Sequence, residues 1–474
     1  MTDPDLELRA DLTRRALLRD ATLGLGGLAL GGLLGREASA QEALPALPHF
    51  APKARRVIYL FQNGAPSHVD LFDWKPILRQ RHGEPIPDSV AGGKRFSTML
   101  DGQTSRAMLG ELPDFARHGE SGATVSSFLP RTAAIADRLC FVKSMHTTQV
   151  NHAPAITYFM TGAEQAGRPT MGAWLSYGLG RMSDDVPAFV AMTSRDKEAS
   201  CGQIFYDFYW GSGFLPTVHQ GVKFRGTGDP VLYLKDPAGI DRGLRRRMLD
   251  DLAALNEKRA QEVGDPEIRT RIAQYEMAFA MQASVPDLMD TKGESAQTLA
   301  LYGCQPGDGS FASNCLLARR LAERGVRFIQ MYHKDWDHHG GVKEGVRLKA
   351  EEIDRACMAL ITDLKDRGML DETLLVWAGE FGRTPMSQGT GRDHHNKAMT
   401  VWMAGGGIKG GMVYGATDEL GYAAVDKVCT VHDMHATMLH CLGIDHAGFS
   451  VKFQGLDAKL TGVEGASVLT DILA

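Results

Sequence analysis

The strongest constraint on the fold is an alternation of short apolar runs with helical patterns in the second half of the chain. Apolar runs of five to seven residues are typical of buried strands. Their alternation with helical patterns predicts a mostly parallel sheet sandwiched by helices. In chain order the segments are a helix at 314–323, a strand at 326–332, a helix at 349–366, a strand at 373–378, a polar loop, a strand at 398–403, and a helix at 432–441.

The same α/β organisation extends towards the N-terminus. Strands are predicted at 57–62 and 139–143, and residues 154–160 begin a helix that ends near Gly162. Residues 194–310 interrupt the alternation of strands and helices, because an aromatic, glycine-rich segment is followed there by a charged helical segment at 241–282. We therefore expect one domain at 41–474 with residues 194–310 inserted as a helical cap.

The first forty residues have the pattern of an export signal. Arg14 and Arg15 precede an apolar, glycine-rich stretch at 21–34, and a small-residue cleavage site follows at 38–40. This order resembles a twin-arginine signal, which implies export of a folded, metal-loaded protein to the periplasm or medium. The apolar stretch is shorter than the roughly twenty residues that span a bilayer. We expect cleavage before Gln41 and no membrane span afterwards.

Charge and cysteine usage exclude two classes of protein. The formal charge is −5, from 52 basic and 57 acidic residues, which argues against nucleic acid as a partner. Seven cysteines without a C-x-x-C pair argue against a zinc ribbon or a dense disulfide framework. Cys315, Cys357 and Cys441 lie in helical patterns and are predicted to be buried thiols. Oligomeric state is not determined by these features.

Polar residues cluster directly after three predicted strands. Open α/β sheets bind ligands at the carboxyl ends of their strands, so these clusters should meet at one edge. Carboxylates and imidazoles converging there predict a divalent metal ion: zinc, calcium, magnesium or manganese. The candidate ligands are Asn63, His68, Asp70, Asp335, Asp337, His338, His339, Glu380, His394 and His395.

Several segments resemble a known superfamily. The stretch EEIDRACMALITDLKDRGMLDETLLVWAGEFG at 351–382 and the stretch RDHHNKAMTVWMAGGGIKGG after it are similar to sulfatases. Asp335 and His339 match the Asp-x-x-x-His pair of alkaline phosphatases. With GAPSHVDLFD at 64–73, the mature chain resembles the exported DUF1501 family, a sulfatase-like branch of the alkaline phosphatase/sulfatase superfamily. The resemblance implies an alkaline phosphatase-like core and a metal-dependent ester hydrolase.

This sequence also departs from the superfamily pattern. Asn63 stands where the first metal ligand is an aspartate, and Phe381 replaces a histidine ligand. At the nucleophile position, normally Ser, Thr or Cys, it has His152. His68 and Asp70 are predicted to compensate as ligands.

Three functions follow as alternatives. The first is hydrolysis of a sulfate or phosphate ester by metal-activated water, with Arg383 and Arg392 holding the anion and His152 acting as acid, ligand or nucleophile. Ser67 is the nearest hydroxyl and a further candidate nucleophile. The second is metal-containing recognition of an anionic small molecule or sulfated glycan without turnover. The third is a structural or assembly role at the cell surface.

Overall fold

The computed structural model describes residues 47–91, 107–110, 113–195, 205–231, 236–237 and 239–474. The predicted export signal lies outside these residues and stays a prediction. Residues 48–474 form one compact unit. None of the described helices is both long and apolar enough to cross a membrane.

A nine-stranded sheet forms the centre of the molecule, in the order β12-β4-β11-β8-β1-β7-β5-β6, with β15 pairing to β4. Only β11 runs antiparallel to its neighbours β4 and β8; the other neighbouring pairs are parallel. The mostly parallel α/β fold predicted from the sequence is therefore confirmed. Its strands are β1 Arg56–Gln62, β4 Cys140–His146, β5 Phe189–Thr193, β6 Val222–Arg225, β7 Phe328–His333, β8 Thr373–Ala378, β11 Met399–Ala404, β12 Met412–Tyr414 and β15 Cys429–Thr430.

The remaining strands form four small two-stranded sheets, and twelve α-helices lie within the described residues. The strands are β2 Phe115–His118 with β3 Ala123–Ser126, β9 Gly382–Gln388 with β10 Gly391–His395, β13 Ala416–Thr417 with β14 Ala424–Asp426, and β16 Val451–Phe453 with β17 Leu456–Ala458. The helices are α1 His68–Leu71, α2 Pro76–Gln80, α3 Asp88–Ala91, α4 Pro130–Ala134, α5 His152–Thr161, α6 Met171–Leu179, α7 Arg242–Val263, α8 Pro266–Met289, α9 Ala296–Tyr302, α10 Phe311–Glu323, α11 Val342–Asp366 and α12 Val431–Cys441.

The observed boundaries of helices and strands agree with the predicted ones where the apolar pattern is strong. The predicted strand at 373–378 coincides with β8, and the helix predicted to stop near Gly162 ends there, because that glycine adopts the left-handed conformation at φ 70°. Helix α11 begins two turns before the predicted start at residue 349. Val342 and Val346 are buried one turn apart, so they extend the apolar face of the helix.

The region after β8 was predicted as a polar loop, and this prediction is wrong. Residues 382–395 form the antiparallel hairpin β9–β10. Most of the buried positions in this hairpin carry polar side chains. The sequence therefore lacks the alternation of apolar and polar residues from which a strand is predicted. The buried polar side chains form hydrogen bonds within the fold, as those of Arg383, Thr384 and Arg392 do. These bonds offset the cost of burying polar groups, so the strands do not need apolar residues.

The segment at 194–310 adds both a strand and a helical hairpin. Strand β6 extends the sheet at its edge. The charged pattern at 241–282 forms α7 and α8, joined at Gly264 in the left-handed conformation. Asp241 and Asp265 cap the two helices by accepting backbone N–H bonds.

The cysteines in the described residues are free thiols. All six of them are buried and none is in a disulfide: Cys140, Cys304, Cys315, Cys357, Cys429 and Cys441. The predicted buried thiols at 315, 357 and 441 are confirmed, and Cys201 lies outside the described residues.

Candidate metal centre

The carboxyl ends of β1, β7 and β8 lie side by side, so the loops that follow them meet. Gln62 pairs in register with His333, and Phe61 with Ala378. The Gly64 amide donates to Glu380 Oε1 at 2.8 Å. A Cβ at this glycine would lie 2.6 Å from the Trp336 amide nitrogen, and φ is 108°. Only glycine therefore allows the loop after β1 to close against the loop after β7.

Asp337 is the centre of the polar cluster formed by these loops. Its Oδ1 accepts from Arg383 Nη2 at 2.6 Å. The same oxygen lies 2.9 Å from His339 Nε2 and 3.2 Å from His394 Nε2. The other oxygen, Oδ2, lies 3.3 Å from His152 Nε2. One carboxylate thus joins three imidazoles from α5, the β7 loop and the β9–β10 hairpin.

The outer ring nitrogens of two histidines are held by neutral acceptors. His394 Nδ1 donates to the Val150 carbonyl at 2.7 Å, and His339 Nδ1 contacts Gln388 Oε1. In the neutral tautomer that carries its proton on this outer nitrogen, Nε2 of each ring would present its lone pair inwards to a metal ion. These two Nε2 atoms lie 3.0 Å apart. Such outer hydrogen bonds are what orients histidine ligands around a metal.

His152 opens helix α5 and is held by two carboxylates. Its Nδ1 lies 2.6 Å from Glu380 Oε1, and its Nε2 faces Asp337. Burial lowers the pKa of this imidazole, but its hydrogen bonds to Asp337 and Glu380 outweigh burial and raise that pKa to about 9. His152 is therefore a cation at neutral pH when no metal is bound.

The surroundings of the other titratable groups in the cluster also shift their pKa values. Burial would raise the pKa of Asp337, but hydrogen bonds from three histidines hold it well below its usual range. The hydrogen bond to Asp337 raises the pKa of His339, whereas burial lowers that of His394. A negative carboxylate and a neutral His394 are the protonation states that a metal ion requires.

The donor atoms fit a small divalent cation. Asp337 Oδ1 and the two inward Nε2 atoms are 2.9–3.2 Å apart, close to the ligand–ligand edge of about 3.3 Å in a tetrahedral zinc site. Two groups place their ligand atoms within 4.8 Å of one another: His152, Asp337 and His394, and His339, Asp393 and His394. Asp393 was not selected from the sequence, although it adjoins the chosen His394.

Arg383 organises the cluster and does not face an open space. Its guanidinium donates to the carbonyls of Gly64, Ala65 and Arg392, in addition to Asp337. The side chain is buried. The structure thus places this residue behind the carboxylate, where it fixes the position of Asp337 against two loops.

The sequence matches a protein family over most of its length. A family model described as a protein of unknown function, DUF1501, matches residues 54–473. The chain belongs to the DUF1501 family. The family predicted from the motifs is thereby confirmed. Among curated proteins, no significant match to this DUF1501 chain was found.

Solved structures similar to this DUF1501 chain are distant. One is a protein in the alkaline phosphatase superfamily from Vibrio parahaemolyticus, with 11% identity, TM-score 0.37, and coverage of 93% of this chain and 77% of that chain. A second is the lipoteichoic acid synthase LtaP from Listeria monocytogenes, with 11% identity, TM-score 0.35, and coverage of 87% and 76%. The PsFucS1 sulfatase from Pseudoalteromonas sp. has 12% identity, TM-score 0.34, and coverage of 86% and 74%. Similarity at this level assigns no activity.

Three candidate ligands of the DUF1501 chain have contacts away from Asp337. Asp70 is paired with Arg392, with Nε–Oδ2 at 2.7 Å. His68 Nε2 lies 2.9 Å from the Gly421 carbonyl, and burial lowers its pKa. His395 contacts the Tyr422 carbonyl, and burial lowers its pKa to about 3. These side chains tie the loop at 67–73 and the hairpin to residues 421–422.

The remaining candidates of the DUF1501 chain are buried beside the cluster. Asp335 adopts φ 67° and its Oδ2 lies 3.9 Å from Lys334 Nζ. Burial lowers the pKa of His338 to about 4, and its ring packs against Gly345 of α11. The Asn63 amide, the Ser67 hydroxyl and Glu380 Oε2 have no hydrogen-bond partner within the described chain.

Proposed function

We propose that this DUF1501 protein is an exported, metal-dependent hydrolase of sulfate or phosphate esters. The observation that carries the proposal is the convergence of Asp337 Oδ1 with Nε2 of His339 and His394 within 3.2 Å. When both rings are neutral and protonated on Nδ1, their two Nε2 lone pairs and the carboxylate oxygen form a donor set suited to a divalent cation. Asp337, His339 and His394 would hold the ion, which when bound would supply Lewis-acid chemistry by lowering the pKa of water to about 7.

His152 is suited to donate a proton to the leaving oxygen. In the metal-free protein its pKa of about 9 makes it a cation at neutral pH, and a protonated imidazole is not a nucleophile. The side chain is 21% exposed, so a substrate can reach it. It also stands at the first position of the ten-residue helix α5, whose N-terminus favours an anionic group. We therefore assign His152 the role of general acid.

The other residues hold this arrangement in place. Arg383 fixes the carboxylate of Asp337, and Glu380 fixes the ring of His152 from the opposite side. Glu380 is itself anchored by the Gly64 amide. Ser67 is buried, with 1% of its surface exposed, so direct attack by water is favoured over attack by its hydroxyl.

The test is metal analysis of the purified mature protein, combined with assays on aryl sulfates and aryl phosphates. We expect bound divalent metal in stoichiometric amount and turnover that stops in chelator and returns with added metal. Metal-free protein that turns over esters unchanged in chelator would contradict the proposal.

One observation favours the alternative of a metal-containing binding protein for an anionic glycan. The guanidinium groups of Arg383 and Arg392 are occupied by carboxylates and carbonyls, so neither is free for the substrate anion. Bound metal without turnover on a broad panel of sulfate and phosphate esters would support this alternative.

A further inference from the structure

A second cavity lies at the edge of the sheet. It has a volume of 1520 Å³ and is enclosed by strand β6, helix α6 and the hairpin α7–α8. We call it the side cleft. None of its lining residues belongs to the candidate metal centre. It therefore presents a separate surface for a ligand.

The side cleft has two cations on one wall. Lys223 and Arg225 alternate on β6 around the buried Phe224, so both project to the same side. Both are exposed, and no described carboxylate pairs with either. The Lys223 ammonium lies 5.1 Å from the centre of the Trp210 ring. The Cα atoms of Lys223 and Arg225 are about 7 Å apart, because a strand rises about 3.3 Å per residue.

Most other charges of the side cleft are neutralised by internal ion pairs. Arg245 donates to Asp236 at 2.6 Å, and Arg181 to Asp184 at 3.4 Å. Arg246, outside the lining, binds the lining residue Glu276 at 2.6 Å. The other charged lining residues are Lys223, Arg225 and Asp207, which carry two positive charges and one negative charge. A net positive charge remains for an anionic ligand.

Hydroxyl, amide and aromatic groups line the rest of the side cleft. Ser176 and His219 lie 3.0 Å apart, and Gln274 donates to Thr217 at 3.0 Å. Burial lowers the pKa of His219 to about 4, so it is a neutral donor and acceptor. Tyr275 is 42% exposed on α8. Such groups match the hydroxyls and the apolar ring faces of a sugar.

Size and backbone contacts exclude other ligands. The volume exceeds the roughly 300–1,000 Å³ of small-molecule pockets, which suits several sugar rings. An added peptide strand would need free amides along the edge of β6, but the amide of Arg225 donates to the Pro230 carbonyl, and that of Gly221, just before β6, donates to the Trp210 carbonyl. Two unpaired cations are few for nucleic acid, whose binding proteins contact about 6–10 phosphates.

We propose that the side cleft binds an acidic oligosaccharide, with an anionic group held by Lys223 and Arg225. The proposal does not depend on hydrolysis at the metal centre. It is tested by calorimetric titration of the mature protein with a heparin-derived hexasaccharide. We expect the double variant Lys223→Gln/Arg225→Gln to bind about tenfold or more weakly, since each carries a charge-assisted hydrogen bond.

A matched control removes the same charge from the same insertion. Lys258 and Arg259 are exposed on α7 and do not line the side cleft, so Lys258→Gln/Arg259→Gln should bind within about twofold of wild type. Tyr275→Ala should also weaken binding. Circular dichroism checks that each variant is folded. Equal loss in the two double variants would overturn the proposal.

Further ligands identify what is recognised. A hyaluronan hexasaccharide that binds as well as the heparin fragment assigns the site to carboxylates as well as sulfates; a weaker one assigns it to sulfates. Equal binding of neutral maltohexaose, of a poly-glutamate peptide or of oligo(dT), or no binding of either acidic glycan, would overturn the proposal. Asp337→Asn should leave binding unchanged, which separates this proposal from the catalytic one.

Discussion

Arg392 and Asp70 form a buried, two-pronged ion pair although they lie 322 residues apart in sequence. The distances are 2.7 Å for Nε–Oδ2 and 3.1 Å for Nη2–Oδ1, and both side chains are at most 2% exposed. The pair joins helix α1 after β1 to strand β10. Since β10 also carries His394, this ion pair holds one wall of the candidate metal centre.

Removing one partner of this pair should destabilise the fold. Asp70→Asn leaves the Arg392 charge buried without its counter-ion, which costs about 3–5 kcal/mol of the unfolding free energy. Denaturant unfolding measures the loss. The control Asp471→Asn breaks the exposed pair with Lys427 and should change the unfolding free energy little, because solvent screens such a pair. Similar losses in both variants would contradict the assignment.

Metal binding should depend on Asp337 and not on histidines elsewhere. Asp337→Asn combined with His394→Gln should remove the bound ion and abolish the fall in Tm that chelator causes in the wild type, because a ligand held only by the folded state stabilises it. Elemental analysis and thermal unfolding provide the readout. His118→Gln, on β2, is the control and should retain the ion. Retention of metal in the double variant would refute the centre.

The stability of the metal-free protein should fall above neutral pH. The folded-state pKa of His152 is about 9, above the unfolded value near 6.5, so its stabilisation is complete below pH 6.5 and is lost as pH rises to about 9. The contribution is at most about 3 kcal/mol. Unfolding of chelated wild type and His152→Gln between pH 6 and 10 measures it. Parallel curves for the two proteins would be inconsistent with this pKa.

The general-acid role of His152 predicts a dependence on the leaving group. His152→Ala should lower kcat by about 10²–10⁴ for alkyl esters, whose leaving oxygen needs a proton. Nitrophenyl esters leave without protonation and should lose much less. A uniform loss across both ester types would indicate that His152 has another role.

Direct attack by water predicts the stereochemistry of the reaction. A single displacement inverts the configuration at phosphorus or sulfur, whereas a covalent intermediate needs two displacements and retains it. Hydrolysis of a chiral, isotopically labelled ester gives the answer. Retention would point to Ser67 or His152 as a nucleophile.

Export is tested in cells with the full chain. Replacing Arg14 and Arg15 by lysine should trap the precursor in the cytoplasm, because the twin-arginine route reads the two guanidinium groups. Arg36→Lys lies beyond the apolar stretch and serves as the control. Fractionation and N-terminal sequencing should show mature protein beginning near Gln41 for wild type and control. Normal export of the double-lysine variant would exclude this route.

Local patterns determined much of this protein. Apolar runs and helical periodicity placed β1, β7 and β8 within a few residues and predicted the helices between them, because these signals depend on neighbours in sequence. The position of polar residues after those strands located the loops that meet at the sheet edge. The motifs also predicted the family, whose model matches residues 54–473.

Only the tertiary structure decided which polar residues converge. Asp335 and Asp337 are two residues apart and chemically alike, but Asp335 adopts φ 67° and Asp337 lies 2.9 Å from His339 Nε2. Asp70 is occupied by an arginine that the sequence places far away. Pairings between distant segments have no local period, so a hairpin with buried polar residues and the ion pair behind it could not be read from the sequence.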